Sequence, residues 1–88
     1  MRHARPEDLD RLEPLLARLR TFAPLKEKSR GVFYLKSQAF LHFHADPAGL
    51  FADVRGEDGD FERVKVDEPE GAEALLERVA RRLRAESG

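Results

Sequence analysis

The stretch GVFYLKSQAFLHFHADPAGLFADVRGEDGDFERVKV, residues Gly31–Val66, decides the fold. Apolar and polar residues alternate through it in four short runs, the period of strands with one face buried. The runs are 32–36, 39–44, 50–55 and 61–66. Ser37-Gln38, after the first, has the length of a tight hairpin loop but not its preferred residues. Asp46-Pro47-Ala48-Gly49 has the aspartate, proline and glycine order of a type I turn. Gly56-Glu57-Asp58-Gly59-Asp60 is a polar loop. Such short connections make the strands neighbours in an antiparallel meander.

Register follows from burial. A two-residue loop at Ser37-Gln38 sets Leu35 opposite Phe40 and Tyr34 opposite Leu41. Closure at His44–Gly49 sets Phe43 opposite Leu50 and Leu41 opposite Ala52. A five-residue loop before Phe61 places Val64 and Val66 with the other aliphatics and sets Arg63 opposite Asp53, which pairs opposite charges. One face then carries Val32, Tyr34, Ala39, Leu41, Phe43, Leu50, Ala52, Val54, Val64 and Val66. The other carries Phe33, Leu35, Phe40, His42, His44, Phe51, Asp53, Arg55, Phe61, Arg63 and Lys65.

Helical patterns flank this block. Leu9, Leu12, Leu15, Leu16, Leu19 and Phe22 make an apolar stripe over 7–22. Pro14 falls inside it and predicts either a kink, the preferred reading, or a short turn over 7–12 before a helix that begins near Glu13, and Pro24 closes it. Residues 23–30 read as a charged connection. Ala72, Leu75, Leu76, Val79, Ala80 and Leu83 recur at helical spacing over 69–85. The prediction is one α+β domain spanning 1–88: helix, four-stranded antiparallel meander, helix, with both helices on the aliphatic face.

The other face then has no cover, and its phenylalanines form an apolar patch of the kind that marks an interface or a binding site. Self-association as a homodimer is the first expectation, because a chain of 88 residues builds only a small core. The interface or ligand face expected is Phe33, Phe40, His42, His44, Phe51, Asp53, Arg55, Phe61 and Arg63. A second expectation comes from His42, His44 and Asp46. Alternate strand residues point the same way, so these side chains suit a metal, in a metal-binding protein or a small metal-dependent enzyme. A third is stacking of single-stranded nucleic acid on aromatics interleaved with Arg55, Arg63 and Lys65. A net charge of −1 and the absence of the common RNA-recognition strand–helix order argue against that third use. Asp53 beside His42 or His44 would make a carboxylate-oriented general base, but the register assigns Asp53 to Arg63.

Composition narrows the classes further. There is no cysteine, hence no disulfide or thiolate centre. No phosphate loop, nucleophile elbow or zinc knuckle is present, so neither catalytic residues nor a cofactor are expected. The opening Met1-Arg2-His3-Ala4-Arg5 is not a leader, and no apolar run reaches membrane length, so a cytoplasmic protein without membrane contact is expected. Twelve of sixteen basic residues are arginine, asparagine is missing and Gln38 is the sole glutamine, a composition of thermophilic character.

The segments Gly31-Val32-Phe33-Tyr34, Ala39-Phe40-Leu41-His42-Phe43-His44 and Gly49-Leu50-Phe51-Ala52-Asp53-Val54-Arg55 resemble a group of small bacterial conserved hypothetical proteins. The resemblance covers the central third of the chain. The helix–sheet–helix layout is similar to the YjbR/MmcQ-like proteins, for which DNA binding has been proposed. Neither resemblance implies an activity for any residue here.

Overall fold

A computed structural model describes residues 2–87. Met1 and Gly88, the ends of the expected 1–88 domain, lie outside the described residues. The fold is α+β. The elements in order are β1 (Arg2–His3), α1 (Pro6–Arg11), α2 (Glu13–Leu19), β2 (Leu25–Ser29), β3 (Val32–Leu35), β4 (Gln38–Asp46), β5 (Gly49–Arg55), β6 (Phe61–Lys65) and α3 (Pro69–Ser87). The antiparallel sheet runs β2-β3-β4-β5-β6, and β1 pairs with β4 beyond the end of β3.

The first helical stripe is two helices instead of one kinked helix over 7–22. Leu12 leaves helical geometry at φ −94° and ψ 2°. Pro14 lacks the N–H that a continuous helix would direct to Asp10, and its ring crowds the preceding turn, so the chain breaks there. The Asp8 carboxylate steadies the start of α1 by accepting the Arg5 N–H at 2.9 Å and Arg2 Nη1 at 2.7 Å.

The expected connection 23–30 contains a strand. In β2, Leu25 and Glu27 point to the helices while Lys26 and Lys28 point away, because Leu25 lies opposite the buried Leu35 and Lys26 opposite Tyr34. A single apolar residue on an edge strand leaves almost no hydrophobic pattern to read. Glu27 is held by Arg20 at 2.6 Å and by the Gly31 N–H at 2.9 Å.

The main correction concerns β3 and β4. Their turn is Lys36-Ser37, both residues with positive φ (53° and 67°), as a type I′ hairpin requires. Tyr34 pairs with Ala39, but the next step pairs Phe33 with Leu41. Phe40 is therefore an extra residue in β4, a bulge. Moving the turn leaves the faces unchanged; the bulge exchanges them. Phe33, Leu35 and Phe40, expected on the uncovered face, are buried in the core, while Tyr34 and Ala39 move to the open side. Closure at Asp46–Gly49 shifts β4 against β5 by two residues, Leu41 now facing Val54 and Phe43 facing Ala52. A shift of two preserves every face. The β5–β6 register is as expected, with Ala52 opposite Val64 and Asp53 opposite Arg63.

The core lies between the sheet and the helices. Leu16, Leu19, Leu75 and Val79 meet Phe33, Phe40, Leu41 and Val54, all nearly inaccessible. Ion pairs tie the layers together: Arg18 with Glu73 between α2 and α3, Arg78 with Glu62 between α3 and β6, and Lys36 with Glu86. No helix among the described residues is long and apolar enough to cross a membrane.

Candidate functional site

The helices cover one face of the sheet, and the other faces solvent. Cross-strand pairs define its rows: His3–His44–Phe51–Lys65, then His42–Asp53–Arg63, then Arg55–Phe61 beside Lys26–Tyr34–Ala39. All three histidines of the chain meet here, although His3 is 39 positions before His42. Pairing of β1 with β4 brings His3 onto His44, with ring centroids 5.3 Å apart. His42 and His44 meet edge to face at 4.8 Å, and His42 meets Phe61 at 5.1 Å.

Asp53 is the hub. It is 7% exposed. Its Oδ1 accepts Arg63 Nε at 2.8 Å, and its Oδ2 accepts Arg63 Nη2 at 3.1 Å and lies 2.9 Å from His44 Nε2. Burial pushes this carboxyl up, but the Arg63 hydrogen bonds and charge, together with the two imidazoles, outweigh it and hold the group below the usual aspartate value. Burial depresses the His42 pKa, and the neighbouring His44 depresses it further, so His42 favours the neutral ring. His42 Nδ1 is buried and has no hydrogen-bond partner. One donor atom each from His42, His44 and Asp53 lie within 4.8 Å of one another.

Asp46, expected beside the histidines, is used differently. Its Oδ1 accepts the Ala48 N–H at 2.8 Å and closes the turn. Asp53 stands in the cluster instead, because β5 returns directly beside His42 and His44 while the strand carries Asp46 past them.

The rest of the face is basic and aromatic. Lys28 Nζ lies 5.2 Å from the Tyr34 ring centre, and the Arg55 guanidinium lies 4.4 Å from that of Phe61. Arg55 is fixed by donating to the carbonyls of Ala39 and Gly59, each at 2.8 Å. Pro24, Lys26, Lys28, Tyr34 and Lys36 line a recess of about 190 Å³. Sequence alone places Lys26 and Lys28 in a connection, because Leu25 is the single apolar residue of β2 and the faint alternation of Leu25-Lys26-Glu27-Lys28 is the one signal of a strand. The expected apolar patch shrinks to Phe51, half-buried, and Phe61, 40% exposed. A second recess of about 330 Å³, between α3 and the β5–β6 end, is lined by Arg78, Arg81 and Arg82 with Glu57 and Glu62. Arg78 there is already paired with Glu62, and Arg82 with Glu86.

Comparison with known proteins finds no matching family model, curated protein or solved structure.

Proposed function

We propose that the open sheet face binds single-stranded nucleic acid. The observation that carries this reading is segregation of charge and aromatic surface. Three of the four lysines, Lys26, Lys28 and Lys65, stand on this face beside Tyr34, Phe51 and Phe61. Its acids are engaged, Asp46 in its turn, Asp53 with Arg63 and His44, and Asp67 at the rim with the Leu50 N–H and Lys65. Most other carboxylates with partners bind arginines on the helical side. The net charge of −1 averages over these two unlike faces and does not describe either.

The physical fit is to a polymer with phosphates at regular intervals and bases free to stack. Phe61, which is exposed, and the half-buried Tyr34 and Phe51 supply stacking platforms that tolerate any base, and flanking ammonium groups track the backbone. A duplex hides its base faces, so the rings would add nothing to duplex binding.

The test is fluorescence anisotropy with a labelled oligo-dT strand across a salt series. Three ammonium contacts, that of Lys65 made in exchange for its 4.0 Å pairing with Asp67, predict a slope of log affinity against log salt of about −2. Phe61→Ala is expected to weaken binding about 5- to 160-fold, the span of one lost base stack. Absence of binding at low salt, or affinity indifferent to Phe51→Ala and Phe61→Ala, would refute the reading.

A further inference from the structure

We propose that His42, His44 and Asp53 form a binding site for a divalent first-row transition ion of the zinc, nickel or iron(II) type. This inference is independent of nucleic-acid binding and uses different atoms of the face.

Three observations carry it. The donor atoms already converge, one from each residue lying within 4.8 Å of the others. Metal–nitrogen and metal–oxygen bonds of about 2.0–2.2 Å bring two ligand atoms on one ion roughly 2.9–3.5 Å apart. His44 Nε2 and Asp53 Oδ2 stand at 2.9 Å, within that span. An ion there would take up both donor atoms, which now face each other directly. Second, His42 Nδ1 is buried without a hydrogen-bond partner. A buried imidazole nitrogen with nothing to bind is costly, and a metal bond removes the cost. Third, the carboxylate is pre-positioned. Arg63 grips it through two nitrogens at 2.8 and 3.1 Å, and it lies in β5 directly opposite His42 in β4. Arg63 is a positioning residue here.

Ligand chemistry sets the class of ion. Two imidazoles and one carboxylate suit zinc, nickel and iron(II) far better than calcium or magnesium, which prefer all-oxygen shells. Three protein ligands leave coordination positions for solvent or for an anionic ligand. His3 stacks on His44 and is not among the three converging residues.

The experiment is calorimetric titration of chelator-stripped protein with Zn²⁺ and with Ni²⁺, in the absence of nucleic acid. One ion per chain is expected, with a dissociation constant of about 10 µM or tighter. His42→Ala and His44→Ala should each weaken binding by at least about 10-fold, the scale of a disturbed coordination shell. His3→Ala should leave it within about 2-fold, less than any coordination-shell loss. Circular dichroism of each variant confirms folding. Should His44→Ala fail to fold, His42→Gln serves, and ring-nitrogen NMR of the intact protein reads the site directly. Zn²⁺-induced shifts confined to the His42 and His44 rings support the site. No saturable binding below about 100 µM, or shifts confined to His3, overturns it.

Discussion

His44 Nε2 lies 2.9 Å from Asp53 Oδ2, and Arg63 holds the same carboxylate from the opposite side. A buried acid is thus shared by an imidazole and a guanidinium contributed by the two neighbouring strands. The asymmetry of exposure makes the partners unequal: the Asp53 side chain is 10% exposed and that of Arg63 is 49% exposed. Replacing Asp53 with alanine strips two donors of their acceptor and should cost about 1–3 kcal/mol. Replacing Arg63 with alanine should cost about 1 kcal/mol or less, because solvent screens that side of the pair. Urea unfolding of both variants checks the order, and an Arg63→Ala cost larger than that of Asp53→Ala would sink it.

The bulge at Phe40 makes a sharper demand. Phe40 and Phe33 are each 1% exposed, whereas Phe61 is 40% exposed, although strict alternation assigns all three to one face. Phe40→Ala should cost about 3–5 kcal/mol, and Phe61→Ala well under that. Equal costs in denaturant unfolding would mean that β4 runs without its bulge.

These phenylalanines also show what a sequence can and cannot disclose. The β5–β6 register was legible because one choice buried Val64 and joined Asp53 to Arg63 while the other did neither. The β4–β5 faces survived a two-residue error at Asp46–Gly49 for the same parity reason. A bulge inserts one residue and inverts parity, and nothing local in Ala39-Phe40-Leu41 announces it, since Phe40 and Leu41 are both apolar. Pro14 left two readings legible, a kink or a short turn over 7–12 before a helix starting near Glu13; the second start is the one found, with the helix α1 in place of the turn. In the candidate site, His42 and His44 were visible as strand neighbours. Asp53 was visible as the partner of Arg63. The arrival of His3 depends on a two-residue strand too short to carry a pattern.

Acid should reveal the start of α1. Asp8 sits below its ordinary value of 3.8 because the Arg5 N–H, and then the Arg2 guanidinium, favour its charged form. A depressed carboxyl stabilises the fold above its unfolded-state value, and that contribution is lost as pH falls through the lower folded value. Asp8→Asn keeps the shape without the charge. The native chain should therefore lose more of its urea resistance than Asp8→Asn between about pH 5 and pH 3, the range where ordinary aspartates begin to protonate. Parallel losses in the two proteins would remove Asp8 from the account of acid sensitivity.

Gly71 closes the helix against the sheet. It lies in the first turn of α3, where a Cβ would run into the backbone carbonyl of Lys65, the last residue of β6. A carbonyl cannot rotate aside as a flexible side-chain tip can, so the approach of α3 to β6 needs a residue with no side chain. Helix propensity alone favours alanine over glycine by about 1 kcal/mol, so an unconstrained position would gain stability from Gly71→Ala. Here the change should instead destabilise the fold by about 1–3 kcal/mol, the range for overpacking, by prising α3 from β6 and unseating Leu75 and Val79. The chain's small core leaves little reserve, and about 1 kcal/mol lowers the melting temperature of a domain this size by roughly 4–8 °C. A thermal melt of Gly71→Ala at or above the native midpoint would show that α3 does not rest on Lys65 in this way.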